Sequence, residues 1–180
     1  SLSLFLIVLL APMLLIVAIL VYMTSKGPVI YYATCIGKNG REFRMPKFRT
    51  MLIKTPILPS HELINPSCFL TPIGGFLRSF SLDETLQLFS ILKGDMIFIG
   101  PRPSLTIQRD LNALRKEGGI DNLMPGITGW AQVNGRDKLS LLDKVALDME
   151  YLNRQSFWFD IKILWMTFLK VISRDGVNHY

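Results

Sequence analysis

The chain has 180 residues, of which 49% are hydrophobic, and its formal net charge at pH 7 is +6. This length supports one domain plus an appendage, and the positive charge favours an anionic partner such as a nucleic acid, a membrane surface or a phosphorylated substrate. The two cysteines, Cys35 and Cys68, lie far apart without metal-ligand spacing, which predicts reduced thiols. The chain has only two histidines, which argues against a zinc site.

The N-terminal segment, residues 2–23, carries no charged side chain. About 20 apolar residues suffice to cross the hydrocarbon core of a bilayer. We expect the segment to be retained, because a cleaved signal peptide would have a basic n-region and a small-residue cleavage site. Pro12 predicts a kink or a break near its middle. Two courses stay open on this evidence, a kinked spanning helix and a re-entrant helix that enters and leaves by one face.

A basic stretch follows the apolar segment and contains a single acid, Glu42. Its cationic residues are Lys26, Lys38, Arg41, Arg44, Lys47, Arg49 and Lys54. Such an excess marks the cytoplasmic side of a membrane and favours anionic lipid. Beside a long apolar anchor, a membrane surface or a phosphorylated substrate is favoured over a nucleic acid.

The rest of the chain predicts a small mixed α+β domain. Residues 29–33 and 42–45 have the composition of short strands around a turn at 37–40, which predicts a hairpin. Three further segments predict loops or turns: a surface loop at 56–72 and turns at 125–129 and 134–135. The predicted helices cover residues 81–92, 105–116, 139–152 and 157–172.

The last two predicted helices differ in character. The helix at 139–152 is amphipathic, with Asp143, Lys144 and Asp148 on its polar side. The helix at 157–172 is rich in aromatic residues and poor in charge. It fits a core-packed helix and also a helix in the membrane interface, where Trp and Lys are favoured. The N-terminal anchor tips our interpretation towards membrane contact.

Two adjacent carboxylates, Asp83 and Glu84, lie at the predicted start of the 81–92 helix. Ser81-x-x-Glu84 has the pattern of a capping box, which is a purely structural interpretation. The same carboxylates also suit phosphoryl chemistry, because a helix N-terminus attracts anions and a carboxylate can act as a nucleophile. Such chemistry needs charge neutralisation, for which Arg78, Arg102, Lys47 and Arg49 are candidates. Magnesium commonly takes one or two carboxylate ligands.

Five motifs occur together and in order. They are Lys47-Phe-Arg-Thr-Met51, Arg78-Ser-Phe-Ser-Leu-Asp-Glu84, Leu92-Lys-Gly-Asp-Met96, Phe98-Ile-Gly-Pro-Arg-Pro103 and Pro125-Gly-Ile-Thr-Gly-Trp-Ala-Gln-Val-Asn-Gly-Arg136. With this set the chain resembles the bacterial sugar transferase family, the polyprenyl-phosphate monophosphoglycosyl transferases of the monotopic superfamily. The resemblance extends from the apolar segment to about residue 177.

The resemblance implies a two-step reaction. A sugar 1-phosphate passes from a UDP-sugar to undecaprenyl phosphate, UMP is released, and the phosphosugar is carried covalently on Asp83 in between. Asp83 and Glu84 would be the catalytic residues and would hold the required Mg²⁺. The expected phosphate- and substrate-binding residues are Lys47, Arg49, Arg78, Arg102, Arg136 and Asp148.

The resemblance also implies a fold and a location. Residues 1–25 would form a re-entrant membrane helix broken at Pro12, and residues 26–180 a cytoplasmic catalytic domain with a small hairpin and interfacial amphipathic helices. We expect the protein in the bacterial inner membrane with this domain on the cytoplasmic face. Its expected partners are a UDP-sugar, undecaprenyl phosphate and membrane lipid, with no nucleic acid; a homodimer is left open.

One departure from the family pattern motivates an alternative. Family members carry Gln-x-Arg-x-Gly before the hairpin turn, whereas residues 33–37 here read Ala-Thr-Cys-Ile-Gly. A catalytically silent membrane-anchored module that binds lipid phosphate or an assembly partner is therefore a second hypothesis. Release of UMP from a panel of UDP-sugars distinguishes the two.

Overall fold

The computed structural model describes residues 2–56, 58, 65–135 and 138–173; residues 172 and 173 are described by their backbone alone. The chain forms two compact units. Described residues within 2–33 and 45–92 belong to the first unit, and those within 34–44 and 93–173 belong to the second. The architecture is mixed α/β, as the sequence predicts.

The first unit begins with helix α1, Leu2–Thr24. The helix continues through Pro12, so the expected break at this position is not seen in the described segment. The helix is long and apolar enough to cross a membrane, and most of its surface is exposed. Such a surface fits a membrane location, since exposed apolar patches of this extent are rare on soluble monomers.

One stripe of α1 is buried in the first unit. Leu14, Val17 and Val21 recur at helical spacing and pack with Phe48, Leu77 and Leu86. Phe48 ends a strand, while the two leucines come from helix α2, Gly74–Ser79, and from the segment before helix α3, Gln87–Lys93. The apolar helix is therefore part of the core of this unit.

The hairpin predicted from the sequence is confirmed. Strands β1, Ile30–Ile36, and β2, Glu42–Phe48, flank a 3₁₀ turn at Lys38–Gly40. A short strand β4, Ser104–Leu105, pairs with β1 in antiparallel register, placing Cys35 opposite Leu105, and the strand order is β2-β1-β4.

The second unit contains a parallel strand pair that the sequence does not predict. Strand β3, Ile97–Ile99, pairs with β5, Gly126–Thr128, so the segment expected to be a turn is partly a strand. The helices of this unit are α4, Arg109–Glu117; α5, Trp130–Val133; α6, Leu141–Arg154; and α7, Phe157–Ser173. One core forms around Tyr151, Phe159 and Ile163, and a second around Leu111, Ile120 and Val145.

The predicted helices are confirmed with two corrections. The 105–116 helix begins only at Arg109, because Ser104–Leu105 pairs as a strand. The 81–92 helix is divided into a 3₁₀ turn at Leu82–Glu84 and helix α3. In the predicted 56–72 loop, a 3₁₀ turn forms at Pro66–Phe69, while residues 57 and 59–64 lie outside the described part of the chain.

Helix α7 has one buried side, as a core-packed helix requires, and one exposed aromatic side; contact of that side with a membrane stays a prediction. Phe159 and Ile163 are buried in the core of the second unit. Trp158 and Trp165, by contrast, are 78% and 61% exposed. The exposed apolar side chains of α7 are Phe157, Trp158, Ile161, Leu164, Trp165, Phe168, Leu169 and Val171.

Candidate active site

The Asp83–Glu84 dyad lies in the three-residue 3₁₀ turn before α3. Ser81 precedes the turn in the left-handed conformation, with φ at +53°. The capping box expected from Ser81 and Glu84 is wrong: in this described segment the Ser81 side chain makes no capping hydrogen bond, because its backbone has already turned out of the cap geometry. Asp83 is only 7% exposed. The dyad is thus held by a tight turn and not by the first turn of an α-helix.

Glu84 is fixed by a cation from strand β2. Lys47 Nζ donates to Glu84 Oε1 over 2.8 Å, and both side chains are largely shielded from solvent. A charge-assisted bond in such surroundings is stronger than an exposed one. The structure therefore brings together the first two sequence motifs at this point.

Arg78 joins the same two motifs a second time. It lies in the last turn of α2, which packs against the dyad turn. Its Nε donates to Thr50 Oγ1 over 3.1 Å, and its Nη2 lies 3.4 Å from Met51 Sδ. Thr50 and Met51 belong to the Lys47-Phe-Arg-Thr-Met51 motif, so Lys47, Arg78 and the dyad form one cluster in the first unit.

Arg49 has a different environment from the other candidate cations. It is 5% exposed, and its Nη2 donates to the Ser25 carbonyl oxygen and to Ser25 Oγ just beyond the end of α1. Its Nε and Nη1 have no hydrogen-bond partner among the described residues. A cation favours the carbonyl end of a helix, so Arg49, the residue that follows β2, links the end of that strand to the C-terminal end of α1.

In the second unit, the Gly-Pro-Arg-Pro turn is built on the β3–β5 pair. Gly100 N–H donates to the Thr128 carbonyl over 2.8 Å, and Gly126 N–H donates to the Pro101 carbonyl over 2.9 Å. A Cβ on Gly126 would lie 2.1 Å from Gly100 N, so glycine is required by the close approach of the two backbones. The turn places Arg102 at a small, open surface cleft that Ser104, Asn112 and Arg115 also line.

Asp148 lies in a buried ion pair beside this turn. The sequence places it on the polar side of α6, and this placement is wrong: Asp148 is 1% exposed, on the same stripe as Val145 and Tyr151. Arg115 Nε and Nη2 donate to Asp148 Oδ2 over 3.0 and 2.6 Å. Burial raises the pKa of Asp148 above its usual value even though Arg115 acts in the opposite direction.

A second polar cluster joins α5 and α6. Trp130 Nε1 donates to Glu150 Oε2 over 2.7 Å, and Arg154 bonds the other oxygen of Glu150. The pKa of Glu150 is lowered, first by the Trp130 hydrogen bond and then by Arg154. Lys162 lies over the Trp130 ring. This cluster stabilises the packing of the second unit.

The dyad offers two adjacent carboxylates as ligands to a cation. No group of three or more His, Cys, Asp or Glu residues in the described part of the chain could hold a metal by itself. Magnesium, however, is usually bound by one or two carboxylates together with water and substrate phosphates. Asp83 and Glu84 fit that pattern.

One predicted site residue cannot be placed, and one residue of the site was not predicted. Arg136 lies outside the described residues. Arg115 was not singled out in the sequence, although it follows the buried Leu111 by four positions and so lies on the same helix face. A charge on a buried stripe requires a buried partner, and Asp148 follows the buried Val145 of α6 by three positions, so it too lies on a buried helix face.

The profile of the bacterial sugar transferase family matches residues 1–174. The chain is 37% identical to the UDP-glucose:undecaprenyl-phosphate glucose-1-phosphate transferase of Escherichia coli, over 90% of this chain and 36% of that protein. It is 37% identical to the undecaprenyl-phosphate glucose phosphotransferase of Komagataeibacter xylinus, over 97% of this chain and 35% of that protein. It is 38% identical to the uncharacterized sugar transferase EpsL of Bacillus subtilis, over 84% of this chain and 74% of that protein. The chain thus spans about a third of the length of the first two relatives.

Proposed function

Because the chain belongs to the bacterial sugar transferase family, we propose that it transfers a sugar 1-phosphate from a UDP-sugar to undecaprenyl phosphate and releases UMP. The names of the relatives from E. coli and K. xylinus support this reaction in general. The observation that supports the proposal is the Lys47–Glu84 ion pair next to Asp83, together with Arg78 on helix α2, which packs against the dyad turn.

The proposed chemistry has two displacements at one phosphorus. An Asp83 carboxylate oxygen forms a bond to the sugar-bearing phosphorus of the UDP-sugar, while the bond from that phosphorus to the bridging oxygen breaks and UMP leaves. An oxygen of undecaprenyl phosphate then forms a bond to the same phosphorus, and the bond to Asp83 breaks, restoring the carboxylate. Dividing one difficult transfer into two steps is the general advantage of a covalent intermediate.

The surrounding residues support these steps electrostatically. Lys47 holds Glu84 in place beside the nucleophile, and Arg78 brings a further positive charge to the same cluster. Asp83 and Glu84 would hold magnesium, which when bound supplies neutralisation of phosphate charge. We propose Arg102 as a phosphate-binding residue of the second unit, since it lines an open cleft.

The test of the nucleophile is retention of radiolabelled sugar phosphate on the protein in the absence of lipid acceptor. The wild-type protein is expected to retain label, and Asp83→Asn to retain none, because an amide cannot form the acyl phosphate. Asp110→Asn, which removes an exposed aspartate on α4, is the matched control and should retain label fully. Equal retention by wild type and Asp83→Asn would disprove the assignment, and absence of UMP release with every UDP-sugar would disprove the reaction.

We further propose that the protein resides in the bacterial inner membrane with its catalytic part on the cytoplasmic face. The exposed apolar surface of α1 and the exposed tryptophans of α7 support insertion and interfacial contact respectively. The basic stretch after α1 supports the cytoplasmic orientation. The homodimer stays a prediction, to be checked by the mass of the detergent-solubilised protein.

The course of α1 in the bilayer is tested by cysteine labelling. In a Cys35→Ser, Cys68→Ser background, Leu4→Cys and Tyr22→Cys place single thiols near the two ends of the helix. A re-entrant course, with a bend at Pro12, predicts that both thiols react with an impermeant reagent from the cytoplasmic side only. Reaction from opposite sides would establish a spanning helix instead.

A further inference from the structure

The turn that carries Arg102 is held by two different kinds of contact. Its first part is fixed by the backbone of β5, through the bonds at Gly100 and Pro101. The carbonyl of Arg102 itself is bonded by a side chain, because Arg115 Nη1 donates to it over 2.8 Å. At Arg102 itself, the backbone is therefore fixed by α4 through one guanidinium group, two residues before strand β4 begins to pair with β1.

That guanidinium is oriented by Asp148. Nε and Nη2 of Arg115 both donate to Asp148 Oδ2, and Nη1 points away from the carboxylate to the Arg102 carbonyl. The planar fork of an arginine fixes the directions of its N–H bonds relative to one another, so holding one edge fixes the other. The chain of contacts runs from α6 through α4 to the Arg102 turn.

Stability alone does not account for this pair. A buried ion pair can often be replaced by well-packed apolar residues without loss of stability, because desolvation of the two charges offsets their attraction. The contact that an apolar pair would not supply is the donor to the Arg102 carbonyl. This contact gives the pair a role in the site.

We infer that Arg115 is a positioning residue, which Asp148 orients and which fixes the backbone of Arg102 so that its guanidinium is presented to substrate phosphate. The inference rests on the proposed function in one respect, namely that Arg102 binds phosphate. It assigns Asp148 an indirect role, through Arg115, in place of direct contact with substrate.

The experiment removes both members of the pair together, as Arg115→Met with Asp148→Leu, so that no buried charge is left unpaired. The double variant should fold with an apparent Tm close to that of the wild type. Its kcat/KM for the UDP-sugar should fall about 10- to 100-fold, because a displacement of about 1 Å at a binding group can cost 10²-fold. Arg109→Met with Asp110→Leu, an exposed pair of opposite charges on the same helix, is the matched control and should leave kcat/KM unchanged.

A mutant cycle shows whether the effect passes through Arg102. In an Arg102→Ala background, removing the Arg115–Asp148 pair should change kcat/KM by less than about twofold, since the group being positioned is already absent. A full 10- to 100-fold further loss in that background would overturn the inference. So would a folded pair variant with the kcat/KM of the wild type.

Hydrogen exchange supplies a readout that needs no substrate. The backbone amides of Arg102 and Ser104, the non-proline residues beside the anchored carbonyl, should exchange faster in the pair variant than in the wild type, while the control pair leaves them unchanged. Equal exchange in the pair variant and the wild type would overturn the inference even in an active enzyme. Faster exchange together with no UMP release by the wild type would support Arg115 as the anchor of the turn and refute the proposed function separately.

Discussion

Lys47 Nζ lies 2.8 Å from Glu84 Oε1, although the two residues are 37 positions apart. The bond fastens the dyad turn to strand β2, which in turn is connected to α1 through Arg49 and Ser25. The position of the proposed nucleophile therefore depends on a strand that is distant in sequence.

Lys47→Met should lower the rate of UMP release about 10²-fold, the effect typical of removing one preorganised charge at a phosphoryl site. The loss of stability should be about 1–3 kcal/mol, because Glu84 loses a charge-assisted bond. Lys54→Met removes an exposed lysine of the same charge and should retain the wild-type rate. The measurement is UMP release with saturating lipid phosphate; equal rates for the two variants would contradict the role of Lys47.

Gly27→Ala should destabilise the first unit and detach Arg49 from Ser25. An added Cβ would lie 2.2 Å from Arg49 Nη1 and 2.5 Å from Ile53 Cδ1, at a φ of +109°. Gly40→Ala is the control, because it also has positive φ but meets nothing within 4 Å. Gly40→Ala should cost about 1 kcal/mol from backbone strain alone, and Gly27→Ala clearly more. Thermal unfolding in detergent measures the stability of both variants. An equal loss of stability in the two would contradict the prediction, because it would show that the Arg49 side chain moves aside without cost.

Gly126→Ala should disrupt the second unit. The new Cβ would lie 2.1 Å from Gly100 N, and backbone cannot move aside as a flexible side chain does. We expect a loss of about 3 kcal/mol or more. Gly118→Ala, whose nearest contacts would be at 3.4 Å, should change stability little. Limited proteolysis reports the outcome, and equal resistance of the two variants would argue against the close β3–β5 approach.

Glu150 should give the protein a measurable dependence of stability on pH. Its pKa is lowered in the folded state, first by the Trp130 hydrogen bond, so its contribution is present above the unfolded value of 4.5 and is lost as pH falls through the folded value. Glu150→Gln should therefore unfold at lower urea than the wild type at neutral pH, and the difference should shrink in acid. Trp130→Phe should reproduce part of this change. A difference that grows as pH falls would reverse the assigned sign.

Helix α7 and the hairpin were predictable because each has a local signal. The aromatic, charge-poor run of α7 and the strand-forming composition on both sides of the 37–40 turn can be recognised without the rest of the fold. The β3–β5 pair was not predictable in the same way. Each strand has three residues, and its partner lies almost thirty positions away, so no local period distinguishes either strand from a turn.

The residues of the site also divide into those with a local sequence signal and those without one. Asp83, Glu84 and Lys47 stood out by residue type and motif, and the structure places them in one cluster. Arg115 did not, because an arginine in a short helix normally faces solvent. Its role depends on α4 and α6 packing together, which is a tertiary relationship. The capping box failed because the left-handed backbone at Ser81 overrode a common local pattern.

The buried stripe of helix α1 packs against Leu82 and Leu86, which precede and follow Asp83 in the chain. Adding one residue to a helix advances it by 1.5 Å and turns it by about 100°. An insertion within α1 would therefore rotate Leu14 and Val17 out of that core. Under the proposed function, α1 would therefore set the distance between Asp83 and the bilayer, and a foreign membrane segment that lacks this buried stripe would not restore activity.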